Sequence, residues 1–180
     1  MKKTSAIVSA LVALAISLPA LALDKGADGF YLTGSGTRVK KVAFITANVY
    51  DVWHYAKDLP ASKSRRAIID LDADKKLIWR MKRDVDAEKI KTALADGYAK
   101  NGYGDKGKIG QFLAAVNAEL KENAVITIKY DAGAKKTSIT IQGAGAASVD
   151  GVDFMKATWS VWFGSMPDQP GLGDSLISKL

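Results

Sequence analysis

The sequence predicts an α+β fold, with one antiparallel sheet and helices layered over one of its faces. Three observations carry this. Strand-like alternation dominates from Gly29 to Arg83, helical periodicity takes over from Asp84 to Leu120, and the strand pattern then returns before a last pair of helices. Strands grouped first, helices inserted as a block and a hairpin afterwards is the order of a segregated domain rather than of alternating βαβ units.

The first strands expected are Phe30 to Thr33, Val42 to Tyr55, Ala67 to Leu71 and Lys76 to Lys82, separated by glycines and by turns such as Asp72-Ala73-Asp74. In the long second run, alternation sets Ala43, Ile45, Ala47 and Val49 on one face, expected to be plain core. Phe44, Thr46, Asn48, Tyr50 and Val52 fall on the other, a mixture suited to a surface that helices cover without filling.

Period 3.6 follows. Ile90, Ala93, Leu94, Gly97 and Tyr98 form one stripe, with Asp84, Asp86 and Glu88 near the helix start, where the macrodipole favours acids. A second helix carries Ile109, Phe112, Leu113, Val116 and Leu120, and the joint between the two is Asn101-Gly102-Tyr103-Gly104-Asp105. Strands from Ala124 to Tyr130 and from Thr137 to Gln142 flank the hairpin turn Asp131-Ala132-Gly133-Ala134. A third helix runs from Val152 to Phe163 and stops at Gly164 and Pro167; a short amphipathic helix from Leu172 to Leu180 closes the chain. Met155, Trp159 and Trp162 share one face of the third helix. Their spacing is that of helix core, the alternative being an exposed aromatic patch for an envelope protein.

The first 22 residues read as a cleavable export signal: basic Met1-Lys2-Lys3, an apolar run from Ala6 to Leu18, and an A-x-A site at Ala20-Leu21-Ala22. That run is too short to span a hydrocarbon core, which takes about 20 residues. No cysteine follows, so lipid attachment at the cleavage point is excluded together with disulfides. Residues 23–180 are expected to be one soluble periplasmic domain of a size that builds its own core without staples. Losing Lys2 and Lys3 lowers the formal charge of +7 by two, to +5. In an exported protein this moderate basicity fits solubility, an anionic membrane surface or acidic ligands, and nucleic acid is not an expected partner.

One histidine and no cysteine exclude a Cys/His zinc site and a Cys/His nucleophile pair. A serine triad would need His54, which stands without a G-x-S-x-G elbow and is expected on a strand surface. Gly102-Tyr103-Gly104-Asp105-Lys106-Gly107 satisfies G-x-G-x-x-G, but it follows a helix, whereas the dinucleotide fingerprint follows a strand. A tight turn between helices is the expectation, with the Tyr103 ring presented on a loop. In Gly34-Ser35-Gly36-Thr37-Arg38, Arg38 is either a solvated cation beside Lys40 and Lys41 or a pocket-mouth cation awaiting an anionic partner, since the sequence shows no acid nearby. A carboxylate or oxyanion could supply that partner in bidentate form. No cofactor is expected.

Taken together, Gly34-x-Gly36-x-Arg38, Val49-Tyr50 at a strand end, Arg83-Asp84-Val85 at a helix start, Gly102-Tyr103-Gly104-Asp105 and Phe163-Gly164 before Pro167 resemble the chalcone isomerase family, specifically its bacterial chalcone-isomerase-like branch. The resemblance runs from about Gly34 to the C-terminus. It implies an open-faced β-sandwich: a large antiparallel sheet layered with helices and a cleft between them. It also implies site roles for Arg38 and Tyr103, which in the plant enzymes match groups stabilising the oxyanion formed as a chalcone cyclises. Two hydroxyl residues of that site correspond here to Ile45 and Val161, so the charged anchor persists while hydroxyl donors are lost. Family members without isomerase activity resemble fatty-acid binders that hold a carboxylate with the same arginine and tyrosine. The expectation is therefore non-catalytic binding of a small amphipathic anion, with Arg38 pairing its headgroup and Tyr103 donating a hydrogen bond, and with an isomerase (intramolecular lyase) acting on a chalcone-like or enolisable substrate as the alternative.

Overall fold

Six strands in simple meander order make one antiparallel sheet: β1 (Tyr31–Val42), β2 (Ile45–Ala56), β3 (Lys75–Met81), β4 (Val125–Asp131), β5 (Lys136–Ile141) and β6 (Ala146–Asp150). The computed structural model describes residues 23–42 and 44–180, so the expected export signal lies outside the described residues. Between β2 and β3 comes α1 (Arg65–Asp70); between β3 and β4 come α2 (Ala87–Lys100) and α3 (Lys106–Leu113); α4 (Val152–Phe163) and α5 (Leu172–Ser175) follow β6.

The register lines up one inner face. Val52, Trp79, Ile126 and Ile141 form a row across four strands, and His54, Leu77, Ile128 and Ile139 form the next. All are buried, whereas their strand neighbours Asp51, Trp53, Ile78, Arg80 and Lys129 are partly or fully exposed on the outer face. α4 lies over this inner face. Its Trp159 meets His54 and Tyr130, its Trp162 meets Tyr50 and Trp79, and α1, α2 and α5 flank it. With cover on both sides, α4 buries residues around its circumference, including Phe154, Thr158 and Val161. One covered sheet face and one open face give the expected open-faced α+β architecture. Among the described residues no helix is long and apolar enough to cross a membrane.

Several expectations are corrected. Ala67 to Leu71 is not a strand: Ser64 caps a helix by accepting from the Ala67 N–H at 3.1 Å, and Ile68 and Ile69 fill the core from α1. A short apolar run carries too little periodicity to separate the two states. Val42 to Tyr55 is not one strand but the end of β1, a turn at Phe44 and most of β2. The face with Tyr50 and Val52 lies under the helices as expected, but the other is not plain core. Ile45 is 71% exposed, Ala47 and Val49 are half-buried, and the core side of β2 is Tyr50, Val52, His54 and Ala56; Ala43 lies outside the described residues. Strand β6, made mostly of small residues, has no apolar run to announce it.

The second helix ends at Leu113, so Val116 and Leu120 pack from the turns after it, Leu120 bridging Val85. The last helix stops at Ser175. The glycine-rich joint is the expected inter-helix turn: Gly102 adopts φ +78° just after Asn101 closes α2, and Asp105 caps α3. Trp159 and Trp162 are 0% and 1% exposed, so their stripe is core and not a docking patch.

Gly34 and Gly36 lie within β1, the first at a register irregularity after Leu32. Both run beneath the C-terminal segment, where a Cβ on Gly34 would come within 2.3 Å of the Ser175 carbonyl oxygen and one on Gly36 within 2.7 Å of a Leu172 methyl. Lys179 N–H donates to Thr33 O at 2.9 Å, which fixes the segment further.

Candidate anion cleft

Beyond Gly34 and Gly36 the next residue on the same side of β1 is Arg38, directly opposite Tyr50 in the register. A bulge between Arg38 and Val39 shifts the pairing, so that consecutive residues Val49 and Tyr50 both line the cleft. The cleft has a volume of about 1020 Å³ and lies between this end of the sheet, the length of α2 and the last turn of α4. Trp79, Leu94, Val161 and Trp162 supply its apolar lining. At its closed side Gly97 lets α2 approach α4, since a Cβ there would lie 2.7 Å from a Val161 methyl.

The floor is aromatic. The Tyr50 ring stacks on Trp79 at 4.7 Å with planes 9° apart, Trp79 meets Trp162 at 5.1 Å, and Trp162 Nε1–H donates to the Tyr50 hydroxyl oxygen at 3.1 Å. That bond leaves the phenol proton free to donate elsewhere. Burial pushes the Tyr50 phenol up, while the Trp162 bond and the Arg38 charge oppose the shift. The Trp79 N–H is buried without a partner among the described residues.

Arg38 is 18% exposed and already holds an anion. Its Nη2 meets the Asp168 carboxylate at 2.5 Å, and its Nη1 donates to Gln169 Oε1 and to the Val39 carbonyl, both at 3.1 Å. Gln169 is itself fixed, accepting from Val39 N–H at 2.9 Å and donating to Thr37 O at 2.7 Å. Burial would push the Asp168 carboxyl up, but the Arg38 hydrogen bond and charge outweigh it and hold it below the usual range. An acid absent from the local sequence thus arrives from 130 residues away, half-exposed on the loop after α4.

Tyr103 is placed elsewhere. It does not line the cleft with Arg38; its hydroxyl donates to Asp153 Oδ2 at 3.1 Å, beside the Lys108 ammonium, and its ring packs on Tyr98 and Phe154. Burial and the Asp153 carboxylate both push its phenol up. Ile45, taken from the resemblance as a site position, is out on the exposed hairpin, and the strand residue facing Arg38 is Tyr50. Val161 does line the cleft, as an apolar wall. Tyr50 served in the sequence only as a mark of the resemblance and had no site role there, and Trp79, Asp168 and Gln169 were not singled out at all.

His54 is fully buried, not a surface residue. Trp159 Nε1–H donates to its Nε2 at 2.9 Å, which leaves Nδ1–H to donate to Thr33 Oγ1 at 2.6 Å, and the Thr33 hydroxyl passes its own proton to Leu176 O at 2.8 Å. Every group is satisfied only with a neutral imidazole. Nearby Lys75, also fully buried, caps α1 through Ile68 O at 2.7 Å and lies 4.8 Å over the Trp159 ring. Burial lowers its ammonium to about 7, partly opposed by Asp72 and Asp70. This network ties sheet, α1, α4 and the C-terminal segment together away from the cleft.

A family profile described as chalcone isomerase-like matches residues 15–178. No curated protein sequence matches the chain. Among solved structures, a fatty-acid binding protein of Arabidopsis thaliana is similar with a TM-score of 0.68 at 16% identity, over 85% of this chain and 89% of that one. At that identity the likeness speaks for the fold.

Proposed function

Because this chain belongs to the chalcone isomerase-like family, we propose that it is an exported, non-catalytic member of the family's bacterial branch that holds an amphipathic anion, such as a fatty acid, in the cleft between sheet and helices. One observation carries the reading: Arg38 and Tyr50, opposed on β1 and β2, line one aromatic-floored, apolar-walled cleft, and Arg38 is engaged there by a carboxylate, that of Asp168. A ligand carboxylate would take the place of Asp168, the Tyr50 phenol would donate to it, and Leu94, Val161 and Trp162 would enclose the tail. The similar plant protein binds fatty acids, which supports the same ligand class. Tyr103, tied to Asp153, contributes as a support of the wall formed by α2 and α4 rather than as a donor to this headgroup.

Of the two positions that the resemblance gives to hydroxyl residues, Ile45 lies out on the exposed hairpin and Val161 is an apolar wall, so little beyond Arg38 and Tyr50 would stabilise a developing oxyanion. Native mass spectrometry of the purified protein tests the reading by showing co-purified lipid, and titration with oleate gives its affinity. A lipid-free protein whose oleate affinity is the same in Arg38→Ala would overturn it, as would turnover in an absorbance assay with a chalcone panel. N-terminal sequencing of protein recovered from the periplasm tests export, with Leu23 expected as the first residue.

A further inference from the structure

The β1–β2 hairpin reaches beyond the sheet. β2 pairs with β3 only from Tyr50 to Ala56, so Ile45 to Asn48 pair with β1 alone and form a two-stranded ribbon. At its tip Phe44 is fully exposed and Ile45 is 71% exposed; with Leu59 they are the large exposed apolar side chains of the described residues. Residues 38–48 hold three cations, Arg38, Lys40 and Lys41, and no acid. Lys40 and Lys41 are exposed and make no ion pair among the described residues. The base of the ribbon, Lys40 with Ala47 and Val49, is also the mouth of the cleft.

We infer that this ribbon docks the protein on an anionic bilayer, with Phe44 and Ile45 entering the boundary between headgroups and acyl chains while Lys40 and Lys41 pair with lipid phosphates. A folded core has no use for two large apolar side chains held out on a narrow turn. A stable protein interface buries about 800 Å² on each partner, more than a convex two-residue tip presents, whereas a membrane surface accepts a few apolar side chains flanked by basic ones. Charge and shape together select lipid. The docking does not depend on what the cleft binds, but it would set the cleft mouth at headgroup level, where an amphipathic anion could pass between bilayer and protein without crossing water.

The chain from Leu23 contains all six strands and the whole described core, and a cooperative melt first establishes that this form is folded. Flotation with vesicles of phosphatidylglycerol and phosphatidylcholine, against pure phosphatidylcholine, is then expected to show binding to the anionic vesicles that weakens with salt. The double variant Phe44→Ser/Ile45→Ser should lower the partition coefficient by about tenfold, and Lys41→Glu should lower it on anionic vesicles. Phe44→Trp adds a reporter whose emission should be quenched by brominated lipid. No binding to anionic vesicles, equal binding to both vesicle types, or an unchanged partition in the double variant would each overturn the inference. So would self-association in the absence of lipid that the double variant abolishes, because it would assign the tip to a second copy. Oleate affinity of the same variants, measured without vesicles, reports on the cleft separately.

Discussion

Arg38 and Tyr50 stand directly opposite one another across the β1–β2 pair, so a single hairpin register brings the guanidinium and the phenol to the same cleft. Hydrogen bonds to a bound carboxylate are charge-assisted and worth about 1.5–3 kcal/mol, with the Arg38 ion pair toward the upper end and the neutral Tyr50 phenol toward the lower. Arg38→Ala is therefore expected to weaken oleate binding by about a hundredfold and Tyr50→Phe by about tenfold. Isothermal calorimetry checks both, and a larger effect from the tyrosine would reverse the assigned roles.

Asp168 competes with any ligand for Arg38. Its carboxylate is half-exposed, so the competing pair is weak and screened by solvent. Asp168→Asn should raise oleate affinity by about threefold, with the gain lost in the Arg38→Ala background. A fall in affinity would mean that Asp168 positions the arginine instead of blocking it.

His54 accepts from Trp159 and donates to Thr33 in a site closed to water. Truncation to alanine leaves a cavity and an indole N–H without its acceptor, at a cost of about 3 kcal/mol. Urea unfolding should show this loss. Oleate affinity of the folded variant should be unchanged, since none of these groups lines the cleft.

Stability should peak on the alkaline side. Lys75 has a pKa of about 7 when folded against an ordinary 10.5, so between those values the unfolded chain holds a proton the folded one has released, and stability rises with pH. His54 is held well below 6.5, first by burial and then by Lys75, so stability falls further as pH drops below 6.5. Tyr50 is pushed up by burial, so above pH 10 the unfolded phenol ionises first and stability falls again. Melting temperatures taken from pH 5 to 11 should be highest near about pH 9–10. Lys75→Met should flatten the rise above pH 7, and an unaltered profile in that variant would sink the assignment.

Gly34→Ala places a methyl against backbone that cannot rotate away, 2.3 Å from the Ser175 carbonyl oxygen. The expected cost is about 3 kcal/mol, with hydrogen exchange accelerating at Leu172 to Leu180 before the rest of the sheet.

The periodic parts of the chain were legible in the sequence: α2 with its capping acid at Asp86, the β4–β5 hairpin and the aromatic α4 all declare their period over many residues. Arg38 was legible as a cation needing an anion, but Asp168 was not, because a contact across 130 residues leaves no local pattern. Tyr50 was hidden by a different cause. With Val42 to Tyr55 taken as one strand, no turn at Phe44 folded β2 back on β1, and the register that opposes Tyr50 to Arg38 did not exist. The lone histidine misled because an imidazole suits strand surface and satisfied core alike, and the deciding partners, Thr33 and Trp159, come from the two ends of the domain.

The seat that Gly34 and Gly36 provide for the C-terminal segment has a temporal side. The cover over β1 follows every other element of the domain in the chain, so the inner face of the first strand waits bare while β2 to β6 and the four preceding helices are made. Closure of this domain thus waits on its last helix, which leaves the nascent polypeptide open to whatever receives it until α5 has been made.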